Sequence, residues 1–393
     1  MPVDLKQIPK AEPLPVPPSK SRWVLAIVII MIAGALLVLS LWPKGLSTHS
    51  AWFWFCSLLI PFSVGMAGYI ARLRHYENER DRVMWWNHLH QKQHNEQVLL
   101  GQQAVGLLGM SYTTPVASNK LAAALLQGSN ALQTNYYPSL QSTLTSASLH
   151  TASKVRNEAE YLSFLDVVLT RVSQQLHGEI AKFTGNFVVR LHHDGVLKDE
   201  QIYTIWRRAF PELHAVNDIS ISTENNGLMW VDEWLDKQDD TLLLSVEINL
   251  FLLARDRQAE SVSALLLASP LCMERLHIKP QAWIHRPVVV GDVENSVADT
   301  ANWGKVTSGL PWYFWRAQVK NDALVVVLQM MDKWGFLTAK KGEQVLDDAF
   351  GRPAAAVGNI TLICACEHAV TSGLPQWLLV GARTTQMAIV RPA

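Results

Sequence analysis

The sequence has no excess of either charge and little cysteine. Its 34 lysines and arginines balance 34 aspartates and glutamates, so the formal net charge is zero. Domains that bind nucleic acid broadly carry a positive excess, and its absence predicts no nucleic-acid partner. Four cysteines in 393 residues provide no disulfide framework, which is typical of a reducing cytoplasm.

Short motifs that hold phosphates or activate a serine are also missing. The chain contains no Walker sequence, no Gly-x-Gly-x-x-Gly and no Gly-x-Ser-x-Gly elbow. Cys364 and His368 are one helical turn apart, as metal ligands can be, but the apolar residues around them favour a core helix. We therefore predict no cofactor and no metal.

Two long runs without charge are the strongest positive feature. Trp23–Trp42 and Ala51–Ile70 contain no Lys, Arg, Asp or Glu. A helix of about twenty residues is about 30 Å long and crosses the hydrocarbon core of a bilayer. The polar residues 43–50 separate the runs, so we predict a transmembrane helical hairpin with two spans. A cleaved signal peptide and a buried core hairpin are the alternatives.

Basic residues predict how this hairpin is oriented. The loop between the runs holds only Lys44, whereas four basic residues precede the first run and four follow the second: Lys6, Lys10, Lys20, Arg22, Arg72, Arg74, Arg80 and Arg82. Positively charged flanks stay in the cytoplasm. We therefore predict a multi-pass protein of the bacterial inner membrane, in contact with lipid, with both termini cytoplasmic.

Composition divides the chain into four segments. Residues 1–22, rich in proline and lysine, are predicted to be a disordered cytoplasmic arm. The transmembrane hairpin takes residues 23–70, and the polar residues 71–100 favour a juxtamembrane helix. Residues 101–393 are long enough to form a cytoplasmic domain with a substantial core.

Strand-like and helical patterns alternate in the cytoplasmic segment. Phe187–Leu191 and Leu242–Ile248 are typical of buried strands, and Asp199–Arg208 is typical of a helix. Ile360–Val370 predicts a buried helix, and the segment after residue 376 predicts a closing hairpin. Such alternation indicates a layered α/β fold.

Three stretches, in the right order, resemble the thiolase-like superfamily and especially the ketoacyl synthases. They are Ile221–Ile248 (a strand, an elbow, a helix and a strand), Ala259–Val290 (an apolar strand after Glu260), and Gly351–Gly358, whose sequence GRPAAAVG is similar to Gly-His-x-x-Gly-Ala-x-Gly. The resemblance implies a thiolase-like α/β domain over residues 101–393.

Both catalytic positions of that family are altered. The resemblance implies a nucleophilic cysteine at the elbow, where this chain has Thr223-Glu224-Asn225-Asn226-Gly227, and we assign Asn225 to its place. The catalytic histidine falls on Arg352, and arginine does not give up its proton near neutral pH. Because thiolate attack requires a thiol, we predict a pseudoenzyme without catalytic residues. A membrane-tethered acyl-group enzyme with its nucleophile moved to Cys272 or Cys364 is the alternative.

Partners are predicted from the same resemblance and from the architecture. Thiolase-like domains commonly pair, which implies a homodimer. An N-terminal arm, a hairpin and a cytoplasmic body are similar to accessory membrane proteins of bacterial type VI secretion clusters, which implies a scaffold for envelope proteins. A membrane-held immunity protein is the alternative. A candidate interaction site is the aromatic cluster Trp312, Tyr313, Phe314 and Trp315. The alternative interpretation is that these side chains fill the core or a dimer seam.

Overall fold

The computed structural model describes residues 8–43, 45–149, 157–183, 186–211, 213, 216–291 and 293–393. They fall into two units, a helical unit that ends at Gln97 and a larger unit from Val98 to Ala393.

The helical unit contains two long helices and two short helical segments between them. They are α1 (Lys20–Leu41), α2 (Ala51–Trp54), a π-helical segment (Phe55–Leu59) and α3 (Ile60–Gly101), whose last turn lies in the larger unit. Pro61 follows the π-helical segment; it has no N–H to donate, which explains the local widening. Lys20–Leu41 and Ala51–Gly101 are long and apolar enough to cross a membrane, by length and composition only.

Small residues let these helices pack closely and antiparallel. A Cβ atom at Gly34 would overlap the Pro61 ring, and one at Gly65 would lie 3.2 Å from Ile27. At the other end, the rings of Trp23 and Tyr69 are 5.7 Å apart. Close backbone approach at glycine is a common way to pair helices in lipid.

Residues 8–19 carry no helix or strand but are held at one point. The Asn87 side chain accepts a hydrogen bond from the Glu12 backbone N–H (2.9 Å) and donates one to the Glu12 carbonyl (2.9 Å). Arg82 also pairs with the Glu12 carboxylate at 3.0 Å. The arm is therefore anchored to α3 at Glu12.

The larger unit alternates strands and helices. Its strands are β1 (Ala104–Thr113), β2 (Gln133–Tyr137), β3 (Ser142–Ser146), β4 (Phe187–His193), β5 (Val216–Ser222), β6 (Leu242–Asn249), β7 (Ser261–Ala268), β8 (Ala282–His285), β9 (Val288–Val289), β10 (Trp312–Ala317), β11 (Lys340–Val345), β12 (Gln376–Gly381) and β13 (Thr385–Pro392). Its helices are α4 (Leu121–Leu126), α5 (Glu158–Ile180), α6 (Asp199–Ala209), α7 (Met229–Lys237), α8 (Pro270–Leu276), α9 (Val293–Trp303), α10 (Asn321–Lys333), α11 (Leu346–Ala349) and α12 (Val357–Ser372).

The main sheet contains an internal duplication. Its strand order is β11-β10-β12-β13-β8-β1-β7-β6-β4-β5, with β9 paired to β13 and with β2 and β3 forming a separate hairpin. If the strands of each half are numbered by their order in the chain, both halves read 3-2-4-5-1 from the outer edge to the middle. The first strands of the halves, β1 and β8, pair antiparallel at the middle.

Three hydrophobic clusters place the layers. The central cluster joins residues of α7 and α12 to strands of both halves. A second cluster packs α5, α6 and α8 on the first half, and a third packs α9 and α10 on the second. The two helices α7 and α12 are thus enclosed between the half-sheets. The sequence of α12 is apolar enough to cross a membrane, yet 67% of its apolar window is buried within the protein.

The elements predicted for the larger unit are confirmed, and the strand that the resemblance implies before the elbow is the end of β5. Residues 283–290 form two separate strands, β8 and β9, because Arg286 and Pro287 interrupt the run. The strands β1, β2, β3, β10 and β11 were not predicted.

Candidate functional site

The sharp connection between β5 and α7 forms the elbow, which we define as residues 223–228. Gly227 has φ +60°, a left-handed conformation that glycine adopts without strain. Its N–H donates to Asn225 Oδ1 at 3.2 Å, and the Asn226 N–H donates to the Glu224 carbonyl at 2.9 Å. This local bonding turns the chain from the strand into the helix within a few residues.

Gln386 of β13 braces the elbow from the second half of the fold. Its Oε1 accepts the Leu228 N–H at 2.6 Å, and its Nε2 donates to the Asn226 carbonyl at 2.9 Å. Gln386 is 1% exposed, and a Cβ at Gly227 would lie 2.6 Å from its Oε1. The Gln386 side-chain amide therefore bonds to the elbow backbone through both its oxygen and its nitrogen, as a neighbouring backbone amide would.

The segment Gly351–Ala356, which precedes α12, lies against the elbow. The Ala354 carbonyl accepts a hydrogen bond from Asn225 Nδ2 at 3.0 Å and a longer one from Gln318 Nε2 at 3.5 Å. Asn225 and the Arg352 segment, which are far apart in the sequence, therefore meet here.

The side chain of Arg352 does not take part in this contact. Its side chain is exposed, while its backbone N–H donates to the Arg257 carbonyl at 2.8 Å and its carbonyl accepts the Ala259 N–H at 3.0 Å. Asp347, whose carboxylate accepts the Gln318 N–H, feels the positive charge of Arg352. Burial nevertheless raises the pKa of Asp347 above its ordinary value.

The two enclosed helices begin at the same place. A Cβ at Gly358, in the first turn of α12, would lie 2.6 Å from the Gly227 carbonyl and 2.9 Å from Glu247 Oε1. Only glycine permits this approach, because an added carbon would sit inside the contact distance of both oxygens. Gly358 therefore brings the α12 start against the elbow.

A buried ion pair supports this junction from the sheet. Arg190 Nη1 lies 2.9 Å from Glu247 Oε1, and Glu247 Oε2 accepts the Asn359 N–H at 2.7 Å. The guanidinium of Arg190 lies over the Trp230 ring, 4.9 Å from its centroid. Burial raises the pKa of Glu247, although Arg190 and the Asn359 N–H act in the opposite direction.

His192 is the imidazole on this face of the sheet. Its Nδ1 lies 2.9 Å from the Ser222 carbonyl, and its buried Nε2 has no partner among the described residues. Burial, with the repulsion of Arg190, lowers the pKa of His192 to about 3. The ring is neutral near pH 7, but such a weak base holds a proton poorly in acid–base chemistry.

The elbow cluster, which we define as the elbow together with Gln318, residues 352–356 and Gln386, offers hydrogen-bonding groups. The side chains of Asn225, Gln318 and Gln386 are amides, which neither ionise nor act as nucleophiles in ordinary enzyme chemistry. Asn225 and Gln318 donate to the Ala354 carbonyl, and Gln386 bonds to the backbone of the elbow. The arrangement can hold the two halves together or present polar groups to a ligand.

The cysteines of the larger unit lie elsewhere. Cys364 and Cys366 are fully buried in α12, and burial raises the pKa of both thiols. Cys272 on α8 is 1% exposed, and burial, reinforced by Asp240, raises its pKa as well. Thiols with raised pKa values and no access to solvent are poor nucleophiles.

The aromatic cluster lies inside the protein. Trp312, Phe314 and Trp315 are 0% exposed on β10, a strand with neighbours on both sides, and Tyr313 is half-buried against His368. These three aromatics therefore fill the core, as the alternative interpretation predicts, and in this fold Trp312, Phe314 and Trp315 cannot reach a partner.

Sequence reasoning missed several members of the site. Gln318 and Gln386 were not predicted, because isolated glutamines carry no motif. Arg190 and Glu247 were read only as parts of strands. The one available signal was alternation: a charged residue inside an apolar strand indicates a buried partner across the sheet.

No protein-family profile and no curated protein sequence matches this chain. Solved structures do match. One is a chain from the complex of a type II polyketide synthase acyl-carrier protein with its ketosynthase, at TM-score 0.55 and 10% identity, covering 74% of this chain and 100% of that one. A β-ketoacyl synthase from Burkholderia phymatum gives the same values. A ketosynthase of the Bacillus subtilis bacillaene synthase matches at TM-score 0.51 and 11% identity, covering 74% of this chain and 70% of that one.

The larger unit therefore has a ketosynthase-like, layered α/β fold. This confirms the thiolase-like fold predicted from three short stretches of sequence. At such low identity the likeness defines the fold alone, so activity has to be argued from the side chains at the elbow cluster.

Proposed function

We propose that this chain is a non-catalytic, membrane-anchored scaffold that uses a ketosynthase-like domain as an interaction platform. One observation carries this: at the elbow the side chain of Asn225 is an amide bonded to the Ala354 carbonyl, and the side chain of Arg352, two residues before Ala354, is exposed. By the family resemblance, Asn225 stands for the nucleophilic cysteine and Arg352 for the catalytic histidine. Neither replacement supports attack by a thiolate.

Thiol reactivity tests the absence of a nucleophile. The full chain in detergent, with Cys56→Ser to remove the cysteine outside the larger unit, is treated with iodoacetamide at pH 8. We expect slow labelling, because Cys272, Cys364 and Cys366 are buried. Asn225→Cys in the same background is the matched control, since it places a partly exposed thiol at the elbow, and we expect it to label quickly.

An enzyme with a relocated nucleophile predicts the opposite result. Rapid, stoichiometric labelling of one native cysteine, blocked by an acyl thioester, would refute the scaffold. Arg352→His is a second check: we expect no condensing activity, because the thiol is still missing. Measurable product from that variant would show that the nucleophile lies elsewhere.

We also propose that α1 and the apolar part of α3 cross the bacterial inner membrane as a hairpin. The tight contact of Gly34 with Pro61 and the basic residues on both outer flanks support this. Reporter fusions at residue 46 and residue 393 test it. We expect the first to be periplasmic and the second cytoplasmic, and the reverse pattern overturns the orientation.

A homodimer through β5 is the oligomer that the fold favours. Among the residues that the structure describes, this strand forms one edge of the sheet, and its Asn217, Asp218 and Ser220 are exposed. Antiparallel pairing of two copies centred on Ile219 would set Asp218 against Ser220 of the second copy and so avoid a clash of carboxylates. Oxidation of Ile219→Cys should then give a disulfide-linked dimer, and Val325→Cys on the surface of α10 is the control. Equal crosslinking of both variants contradicts this interface.

The architecture further suggests a role in assembling envelope proteins, as in a type VI secretion cluster. Purification from native membranes with a C-terminal tag tests this. Co-purification of secretion-apparatus subunits supports the scaffold, whereas a single small toxin as partner indicates an immunity protein and refutes the secretion role.

A further inference from the structure

Helix α3 has two sides with different surroundings. Its inner side contacts α1 at Pro61 and continues to Val83, which is 3% exposed, and to Asn87, which bonds to the arm. The opposite side, which we call the outer face, is centred on Ala67 and Trp85. These two residues are 18 positions, or about five turns, apart and therefore lie on one line along the helix.

Large apolar side chains are exposed on and beside this face, beyond the end of the uncharged run. Trp85 is 64% exposed, Met84 53% and Leu89 43%. Trp85 lies about 22 Å along the helix beyond Ile70, where the uncharged run ends. A stretch of helix that displays a tryptophan together with further apolar side chains marks an interaction surface.

A shallow groove of about 270 Å³ lies on the same face in the apolar part of the helix. The small side chains of Ser63 and Ala67 form its floor, and large apolar side chains form its walls: Phe55, Leu59, Ile60 and Val64. In lipid, small residues let a second helix approach closely. The outer face is thus shaped for a helix both inside and outside the proposed span.

One occupant that covers the whole outer face has to cross the bilayer as a helix and continue out of it. A second copy of this chain has such a helix, and two copies with the same topology place their α3 helices parallel. Residues with the same number then meet along a seam with a seven-residue repeat, as in a parallel coiled coil. Ala71, Asn78 and Trp85 follow this repeat.

The charges beside this seam are complementary between two copies. In a parallel coiled coil, a flanking residue faces the residue five positions later on the second helix. Glu77, which has no ion-pair partner among the described residues, then faces Arg82 of the second copy. Within its own chain Arg82 donates through Nε and Nη2, which leaves Nη1 for this carboxylate. By the same spacing Met84 faces Leu89, so the flanks next to Trp85 are apolar.

We propose that two copies of this chain pair through the outer faces of their α3 helices, with Trp85 against Trp85 at the centre of the contact outside the membrane. Asn78 meets its copy and fixes the register, because an amide both donates and accepts hydrogen bonds. Lys92 meets its copy one repeat after Trp85; its stem packs while the ammonium stays in water. The parallel orientation rests on the hairpin proposed above, whereas the contact uses none of the residues of β5.

Disulfide crosslinking of the full chain in proteoliposomes tests the seam. In a Cys56→Ser background, Lys92→Cys places a thiol on the seam, and we expect most of the chain to form a dimer on oxidation. Gln93→Cys is the matched control, because it is the next residue, is also exposed and points about 100° away. We expect at least about fivefold less dimer from it, since its thiols are too far apart for a disulfide. Equal crosslinking of the two variants, or none from Lys92→Cys, overturns the proposal.

The adjacent tryptophans give a second matched pair. Energy transfer between fluorescently labelled copies, measured as the vesicles are diluted with lipid, gives the affinity of the dimer. We expect Trp85→Ala to weaken it at least about tenfold because the central contact is lost, and Trp86→Ala, on the flank of α3, to change it less than about twofold. Equal loss in both variants, or a purified chain that stays monomeric, refutes pairing through this face.

The outcome is separable from the earlier proposals. Dimers from Ile219→Cys with none from Lys92→Cys would leave the β5 interface standing and refute this one. The reporter fusions at residues 46 and 393 decide the topology independently. Crosslinking of Lys92→Cys together with reversed fusions would support the α3 pair and overturn only its orientation in the membrane.

Discussion

Arg286 provides the sharpest test of how the two halves are joined. It follows β8 in the second half and pairs with Asp232 and Asp236 of α7, which belongs to the first half. The side chains of Arg286 and Asp232 are only 2% and 5% exposed. Replacing Arg286 by Met keeps much of the side-chain length but leaves the Asp232 carboxylate buried without its counter-charge.

Removing one partner of a buried ion pair costs about 3–5 kcal/mol of unfolding free energy. For a unit of this size, about 2 °C per kcal/mol gives a fall of roughly 6–10 °C in the unfolding midpoint. Thermal unfolding of the full chain in detergent, followed by tryptophan fluorescence, measures it. Arg208→Met is the control, because the exposed pair of Arg208 with Asp166 contributes at most about 1 kcal/mol.

Acidification gives this prediction a second signature. Burial already raises the pKa of Asp232 in the folded protein, and losing the attraction of Arg286 raises it further. A raised carboxyl pKa means that the ionised form destabilises the fold. The loss of unfolding free energy in Arg286→Met is therefore largest at pH values above the raised pKa of Asp232. It becomes smaller as the pH falls from that pKa towards the unfolded value of about 3.9.

Removing the buried charges together should restore stability. We expect Arg286→Met combined with Asp232→Leu and Asp236→Asn to recover at least half of the loss, since no buried charge is left unpaired. A loss no larger than that of Arg208→Met, or one that does not change with pH, would refute the reasoning about a desolvated ion pair.

Three further predictions follow from single positions. Gly358→Val places carbon atoms against the Gly227 carbonyl, so it should lower the unfolding free energy by several kcal/mol (on the order of 3). Gly178→Val in α5, where nothing lies within 4 Å of an added Cβ, should not, as urea titration can show. Gly34→Leu should separate α1 from α3 because it overlaps Pro61; spin-label distances across the hairpin measure this, and unchanged distances contradict the packing. His192 is neutral in the fold, with its pKa lowered to about 3, but takes up a proton near 6.5 when unfolded. It therefore destabilises the protein by about 2 kcal/mol on going from pH 7 to pH 5, and His192→Asn should reduce the pH dependence of urea unfolding by that amount.

Local pattern predicted those elements whose structure depends on their own residues. Asp199–Arg208, predicted to be a helix, lies within α6, and Leu242–Ile248, predicted to be a strand, lies within β6. By contrast, β1 contains two glycines, and its sequence does not favour a strand; it becomes one because β7 and β8 pair with both of its edges.

The elbow cluster, too, has residues that the sequence predicts and residues that only the tertiary structure brings together. The missing thiol at Asn225 and the arginine at position 352 can be read from the chain, because a motif lists residue types in order. That Gln318 and Gln386 complete the cluster cannot be read from the chain, because Gln318 follows β10 and Gln386 lies on β13, and the sheet order decides which strands are neighbours.

The sequence by itself determined the two uncharged runs, the alternation of strands and helices, and the identity of the residues at the altered catalytic positions. These are properties of composition and local spacing. Only the tertiary structure decided that α12 is enclosed between two half-sheets although its residues are apolar enough for a membrane, and that Asn225 meets the segment of Arg352. The physical reason is that burial and proximity depend on which surfaces pack together, and distant parts of the chain supply those surfaces.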